Sequence, residues 1–329
     1  MPQGFKVSVF AQGIDGVRNL VMGPGNVVYA ARQGSGVIVK LPDANRDGVA
    51  DSAVTVASGL RGPFGIAFRG DTMYVAEMTA VKRFDPGASA PVTLVQRMPS
   101  GGHSTRTLLF GPDDKMYVSV GSSCNLCDES DSLRAAVTQF NRDGSGGRIF
   151  ARGLRNSVGL AFHPTTGELW ATNNDRDNLG DDRPPERINI VKDGRFYGWP
   201  QCYLPGTPNP EYSSANCSTV EPPAITFQAH SAPLGMTFYT GTAFPRDYRS
   251  DAFVAFHGSW NRSVPTGAKV VRVRVANGKP VSVEDFITGW QRPDGSRWGR
   301  PVAVVVAADG ALLVSDDMGG KIWRVTYGR

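Results

Sequence analysis

The stretch Arg152-Gly-Leu-Arg-Asn-Ser-Val-Gly-Leu-Ala-Phe162, then His163-Pro-Thr-Thr-Gly167, then Glu168-Leu-Trp-Ala-Thr172, decides how the chain is read. Two apolar runs of strand length, 158–162 and 168–172, flank a turn rich in Pro, Thr and Gly. A third run, 187–191, follows a long polar loop. The polar residues stand at the ends of these runs. Arg155 and Asn156 precede the first, and 173–182 follow the second. Side chains at strand ends and on loops over a rigid sheet are where sites are built.

The same pattern recurs outward along the chain. Short strand, Gly/Pro/Asp turn and second strand appear at 18–30, 65–76, 107–119, 159–171, 235–255 and 304–314. The first strands anchor on Met22, Phe68, Phe110, Phe162, Phe238 and Val306, at spacings of 46, 42, 52, 76 and 68 residues. Further strands follow at 37–41, 80–84, 187–191, 269–275 and 321–327. About four strands per unit, six times over, predict an all-β, six-bladed β-propeller with four-stranded antiparallel blades. The opening strand, 5–12, has no partner in its own unit and is expected to close the ring beside the last strand. One domain over residues 1–329 follows. A β-sandwich is the rival, but it does not require a turn signal recurring in one register.

Bulk composition agrees. The chain of 329 residues is 40% hydrophobic and 20% charged, with 39 Gly and 23 Pro, which suits a turn-rich globular protein. No stretch approaches the roughly 18 apolar residues of a membrane span. The first residues read as a strand rather than a signal peptide, as in a chain whose leader has been removed. The net charge of +5 comes without a basic run, so nucleic acid is not an expected partner. A basic pocket for a small anion fits the charge equally well. Four cysteines fall in two close pairs, Cys124 with Cys127 and Cys202 with Cys217. Two disulfides and an oxidising, periplasmic or secreted location are favoured over a zinc ribbon, whose second pair would be spaced far too widely.

The repeat places the polar residues. Innermost strands of a propeller run parallel around one channel, so the residues just before them gather at one mouth. Counting back from the anchors gives Arg18, Arg61, His103, Arg155, His230 and Arg300, and Arg106 and Arg262 lie close by in sequence. Loops 121–128, 173–182, 257–262 and 316–320 are expected to open onto the same mouth. Clustered guanidiniums repel one another unless an anion sits among them. Some would pair with Asp175, Asp177, Asp181, Asp316 or Asp317. A polyanionic small ligand would take the rest, with His103 as a possible base.

Two loops have hard-cation chemistry. Asp43-Ala-Asn45-Arg-Asp47-Gly48-Val-Ala-Asp51 alternates oxygen ligands around a Gly, as calcium loops do, but Val54 stands where a Glu should close the set. A β-turn rich in Asn and Asp is the equal alternative. The segment 173–186 is dense in carboxylates and carbonyls. No Gly-rich phosphate loop and no nucleophile elbow is present, so NAD, ATP and serine-hydrolase chemistry have no support.

Taken together, the motifs resemble those of the soluble sugar dehydrogenases that depend on pyrroloquinoline quinone (PQQ), the glucose/sorbosone dehydrogenase group and its fungal pyranose dehydrogenase relatives. The resemblance runs nearly end to end. It is carried by Gly102-His103-Ser-Thr-Arg106, Phe110-Gly-Pro-Asp-Asp-Lys-Met-Tyr117, Gly153-Leu-Arg155-Asn156-Ser-Val-Gly-Leu-Ala-Phe162, Glu186-Arg-Ile-Asn189, Tyr197-Gly-Trp-Pro200, His257-Gly-Ser-Trp-Asn-Arg262, Gly299-Arg300-Pro301 and Ser315-Asp316-Asp317. It implies that a sugar C1 hydroxyl is oxidised to a lactone by hydride transfer to PQQ, with calcium present. By the same resemblance, His103 is the general base, and Arg155 and Asn156 lie at the reactive carbonyl. Arg300 clamps cofactor carboxylates, with Arg18, Trp260 and, more loosely, Arg262 nearby. Calcium is implied at the carbonyls of Asp175 and Arg176, where the glucose enzymes carry Gly-Pro, and additional calcium at Glu186 and Tyr197. Electrons would pass to a soluble acceptor of quinone or cytochrome type. A calcium-dependent propeller hydrolase and a non-catalytic binding propeller are the competing readings.

Overall fold

The computed structural model describes residues 1–328. Six four-stranded antiparallel sheets form the blades of a propeller, and no α-helix occurs among the described residues. The innermost strands are Val17–Met22, Gly65–Arg69, Leu108–Phe110, Leu160–Phe162, Pro233–Phe238 and Pro301–Val306, in blades 1 to 6. They stand side by side around a central cavity of about 330 Å³. The N-terminal strand Phe5–Gln12 pairs antiparallel with Lys321–Tyr327 and becomes the outermost strand of blade 6. The ring is therefore fastened by its two chain ends, as the unpaired first strand predicts.

What binds one blade to the next is visible in the repeat itself. The aromatic residue of a second strand meets the anchor Phe of the following blade. Tyr29 contacts Phe68 at 4.7 Å between ring centroids, Tyr74 contacts Phe110 at 4.8 Å, Tyr117 contacts Phe162 at 5.2 Å and Trp170 contacts Phe238 at 5.1 Å. Three of these four pairs are edge-to-face, a geometry that adds about 0.5–1.5 kcal/mol beyond area burial. At the two aliphatic anchors, Val306 packs against a cluster that includes Phe253 and Met22 against one that includes Leu313. The small residue after an anchor also has a reason. A Cβ at Gly23 would run into the rings of Tyr29 and Phe68.

The outer strands are the ones the sequence hides. Val54–Ala57, Val92–Val95 and Lys279–Ile287 are largely exposed edges and carry little apolar signal. The long spacing between Phe162 and Phe238 contains an excursion from blade 4. There the hairpin of Cys202–Leu204 and Thr207–Pro208 is tied by the Cys202–Cys217 disulfide. The second disulfide joins Cys124 to Cys127 in a loop of blade 3. Among the described residues, no helix is long and apolar enough to cross a membrane.

Candidate active site

Because the inner strands are parallel, the segments that precede them do converge. A cavity of about 210 Å³ at that end is lined by Arg18, His103, Arg155, Asn156, His230, His257, Trp260, Asn261 and Arg300, with Asn174, Asp175, Asp177 and Glu186 beneath one side. Five of the six positions found by counting back from the anchors line it. Arg61 does not, and its backbone N–H is held by Glu77 instead.

His103 stands on the segment before the inner strand of blade 3. Its Nδ1 lies 3.0 Å from the carbonyl of Ser122 and 3.0 Å from the Ser122 hydroxyl. A carbonyl only accepts, so Nδ1 carries the proton and Nε2 presents a lone pair. Among the described residues Nε2 has no hydrogen-bond partner, although the ring lines the cavity. Close packing fixes the ring: a Cβ at Gly121 would sit 2.6 Å from both His103 Cβ and Asn156 Oδ1. Burial, and then the Arg155 guanidinium, pull the imidazole pKa down from 6.5 to about 4. The neutral form therefore dominates at neutral pH. In the unfolded chain the imidazole would titrate near its ordinary value. His103 thus contributes stability above about pH 6.5 that is lost as pH falls toward 4. In the cofactor-free protein, NMR should find the His103 ring still neutral at about pH 5.5. A midpoint near its ordinary value would contradict this.

Arg155 is buried beside it, and all its donors are engaged. Nε donates to the Asn125 carbonyl at 3.1 Å, and Nη1 donates to the carbonyls of Asp175 at 2.6 Å and Asn174 at 3.4 Å. Nη2 donates to Asn125 Oδ1 at 3.0 Å and Asp177 Oδ2 at 3.1 Å. Arg18 is paired with Asp317 at 2.5 Å, and Asp317 also faces His257 Nε2 at 3.0 Å.

Arg300 differs from both. The buried carboxylate of Asp316 accepts its backbone N–H, while Nε and Nη2 donate to the carbonyls of His257 at 2.9 Å and Gly258 at 3.1 Å. No carboxylate pairs with it among the described residues, and Nη1 is uncommitted. Burial, with the nearby charges of Arg297 and Arg18, lowers its pKa although Asp317 opposes. Asn156 Oδ1 and both amide atoms of Asn261 are likewise buried without partners at the same mouth. Trp260, 72% exposed, stands on the rim.

On the acidic side, Glu186 is buried. Its Oε2 accepts the Asp175 N–H at 2.8 Å, and burial pushes its carboxyl up to about 8. A buried carboxyl in that state calls for a proton or a cation. Asp175 is paired with the buried Arg187 at 2.9 Å.

Other candidates lie elsewhere. Arg106 turns inward and donates to the carbonyls of Pro99, His103 and Thr105. Arg262 is held away from the cavity by the Asp181 carbonyl and Asp182. The Arg176 guanidinium pairs with Glu211 and Asn209, although its carbonyl is free among the described residues. The Tyr197 hydroxyl donates to the Ile190 carbonyl and accepts the Lys192 N–H, so it does not accompany Glu186. The loop of Asp43, Asn45, Asp47 and Asp51 lies at the opposite end of blade 1. Its oxygens accept N–H groups of the same loop, as in an Asx turn. The sequence reading gave no role to Asn125, His257 or Asn261, whereas it expected Asp317 among the carboxylates that pair with the mouth arginines, as it does with Arg18. All but Asn125 stood within motifs already singled out.

Comparison with known proteins agrees with this geometry. The model of the TrAA12-like family matches residues 1–205 and 204–328. The chain belongs to the TrAA12-like family. It is 30% identical over 99% of its length to a Borreliella burgdorferi protein whose name states no activity, and covers 90% of that protein. It is 28% identical, over 70% of its length, to a PQQ-dependent sugar dehydrogenase of Hypocrea jecorina. It is 26% identical, over 98%, to a PQQ-dependent pyranose dehydrogenase of Coprinopsis cinerea. The chain spans 64% and 54% of the length of those two relatives. Among solved structures, the family AA12 protein of Trichoderma reesei superposes with a TM-score of 0.86 at 23% identity, covering 99% of this chain and 97% of that one. The PQQ domain of the Coprinopsis enzyme, in its holo form, gives 0.84 at 24% identity, covering 99% and 96%. These similarities are to the group that the motifs resemble.

Proposed function

We propose that this chain is a sugar dehydrogenase that uses PQQ and calcium and oxidises the C1 hydroxyl of an aldose or related pyranose. The observation that carries the reading is Arg300, a half-buried, immobilised guanidinium without a carboxylate partner at a mouth that also holds an unpartnered imidazole nitrogen. A flat tricarboxylate supplies the missing charge, and the orphaned amides of Asn156 and Asn261 supply polar partners for it. Bound there, PQQ supplies a carbonyl carbon able to accept hydride, polarised by calcium. Arg300, Arg18, Asn156 and Trp260 would hold the cofactor. Glu186 and the carbonyls of Asp175 and Arg176 would hold the ion. Arg155, whose N–H groups are all committed to protein oxygens, would stabilise negative charge developing on oxygen through its nearby charge rather than by a direct hydrogen bond. His103 Nε2 takes the proton from the sugar hydroxyl, and Ser122 keeps the ring in the tautomer that can do so.

A hydrolase built on a central metal needs several free carboxylates. Here Asp175, Asp177 and Asp317 are each already paired with an arginine, which weighs against that reading. The disulfides fit a periplasmic or secreted setting, and a soluble acceptor would remove the electrons. The test is dye-linked oxidation of a panel of aldoses after adding PQQ and calcium to the apo protein. Turnover is expected. No turnover, with lactone hydrolysis in its place, would refute the assignment. Arg300→Ala should weaken PQQ binding by about 10- to 100-fold, the loss of one or two charge-assisted bonds. An unchanged dissociation constant would show that Arg300 is not the clamp.

A further inference from the structure

The loop that follows the second strand of blade 3, Ser122-Ser-Cys-Asn-Leu-Cys127, touches both side chains that the proposed reaction needs. Ser122 holds His103 through its carbonyl and its hydroxyl, and that hydroxyl donates to the Cys124 carbonyl at 2.7 Å. Ser122 N–H also donates to the Arg155 carbonyl at 2.7 Å. Three residues along, Asn125 takes two of the Arg155 donors, one on its carbonyl and one on Oδ1. The same Oδ1 accepts the Asp177 N–H at 2.7 Å, while Nδ2 donates to the Asp177 carbonyl at 3.1 Å. Its carbonyl also receives the indole N–H of Trp199 at 3.2 Å. Asn125 lies inside the ring that the Cys124–Cys127 disulfide closes.

We infer that this disulfide-closed loop is a positioning brace for the site, with Asn125 setting the plane of the Arg155 guanidinium and Ser122 the orientation of His103. Two carbonyls, one hydroxyl and one amide oxygen, carried on six consecutive residues, hold the imidazole and two of the five guanidinium donors. A covalent clip across four of those residues removes the loop's freedom to let them drift. The arrangement makes the site sensitive to thiol reduction at one named bond. The consequence for turnover rests on the function proposed above, whereas the consequence for Arg155 does not.

The experiment uses the apo protein and reads the Arg155 Nε–H resonance, identified by its loss in Arg155→Lys, together with the His103 titration. A general reductant would open Cys202–Cys217 as well, so the double variant Cys124→Ser/Cys127→Ser is used. In it, the Arg155 resonance should shift and exchange faster with water, and the His103 midpoint should move. Asn125→Ala keeps the disulfide and the Ser122 contact, and should move the Arg155 resonance while leaving His103 in the tautomer protonated at Nδ1. It decides the matter alone if the double variant does not fold. After reconstitution, Asn125→Ala should turn over about 10- to 100-fold more slowly, as happens when groups supporting a site are lost. An Arg155 resonance unchanged in both variants overturns the brace, whether or not PQQ binds. A resonance that moves in a protein that never binds PQQ supports the brace and removes the functional reading instead.

Discussion

His103→Gln is expected to lower sugar turnover by about 10²- to 10⁴-fold while leaving PQQ binding largely intact. Glutamine keeps a neutral amide near Ser122 but offers no lone pair of useful basicity toward the substrate hydroxyl. The arginines and asparagines expected to hold the cofactor are untouched. The loss should therefore appear in kcat, and single-turnover reduction of bound PQQ by an aldose should slow by the same factor. Wild-type turnover in the variant would remove the base from His103, and loss of PQQ binding would show that the ring holds cofactor rather than moves protons.

The second large effect concerns stability. Arg187→Met should destabilise the fold by about 3–5 kcal/mol, read as a fall in the urea midpoint at neutral pH. Arg187 and Asp175 are both almost wholly buried and face each other at 2.9 Å between blade 4 and its loop. Arg187 also donates to the carbonyls of Tyr203 and Tyr197, which ties the disulfide-bearing excursion to the blade. Methionine matches the stem but leaves the Asp175 carboxylate unpaired and three oxygens short of a donor. Adding Asp175→Asn to Arg187→Met should recover part of the loss, because the stranded charge is its largest component. A midpoint within about 1 kcal/mol of wild type would show that solvent reaches the pair.

The architecture was legible because its interblade contacts recur in the chain. The anchors Phe68, Phe110, Phe162 and Phe238 are the residues that meet Tyr29, Tyr74, Tyr117 and Trp170 of the preceding blades. Their spacing therefore reports blade boundaries directly. The outer strands were not legible, because strands such as Val54–Ala57 face solvent and need no apolar pattern. At the site, counting back from the anchors placed Arg18, His103, Arg155, His230 and Arg300 at one mouth, because position along an inner strand fixes height in the channel. It could not fix direction. Arg106 is near in sequence yet turns into the carbonyls of its own loop, and Arg262 is drawn aside by Asp182. Nor could sequence show which guanidinium stays unpaired. That depends on Asp177 and Asp317 reaching Arg155 and Arg18, while Asp316 is spent on the backbone of Arg300 and the indole of Trp323. Asn125 escaped notice because CysXXCys reads as a bridge, and nothing in the spacing says what the residues between the cysteines hold.

The most direct measurement of the central claim is an absorbance titration of PQQ into the apo protein, with and without calcium. Saturation at one PQQ per chain, tighter when calcium is present, is the predicted result. Absence of saturable binding under both conditions would contradict the account.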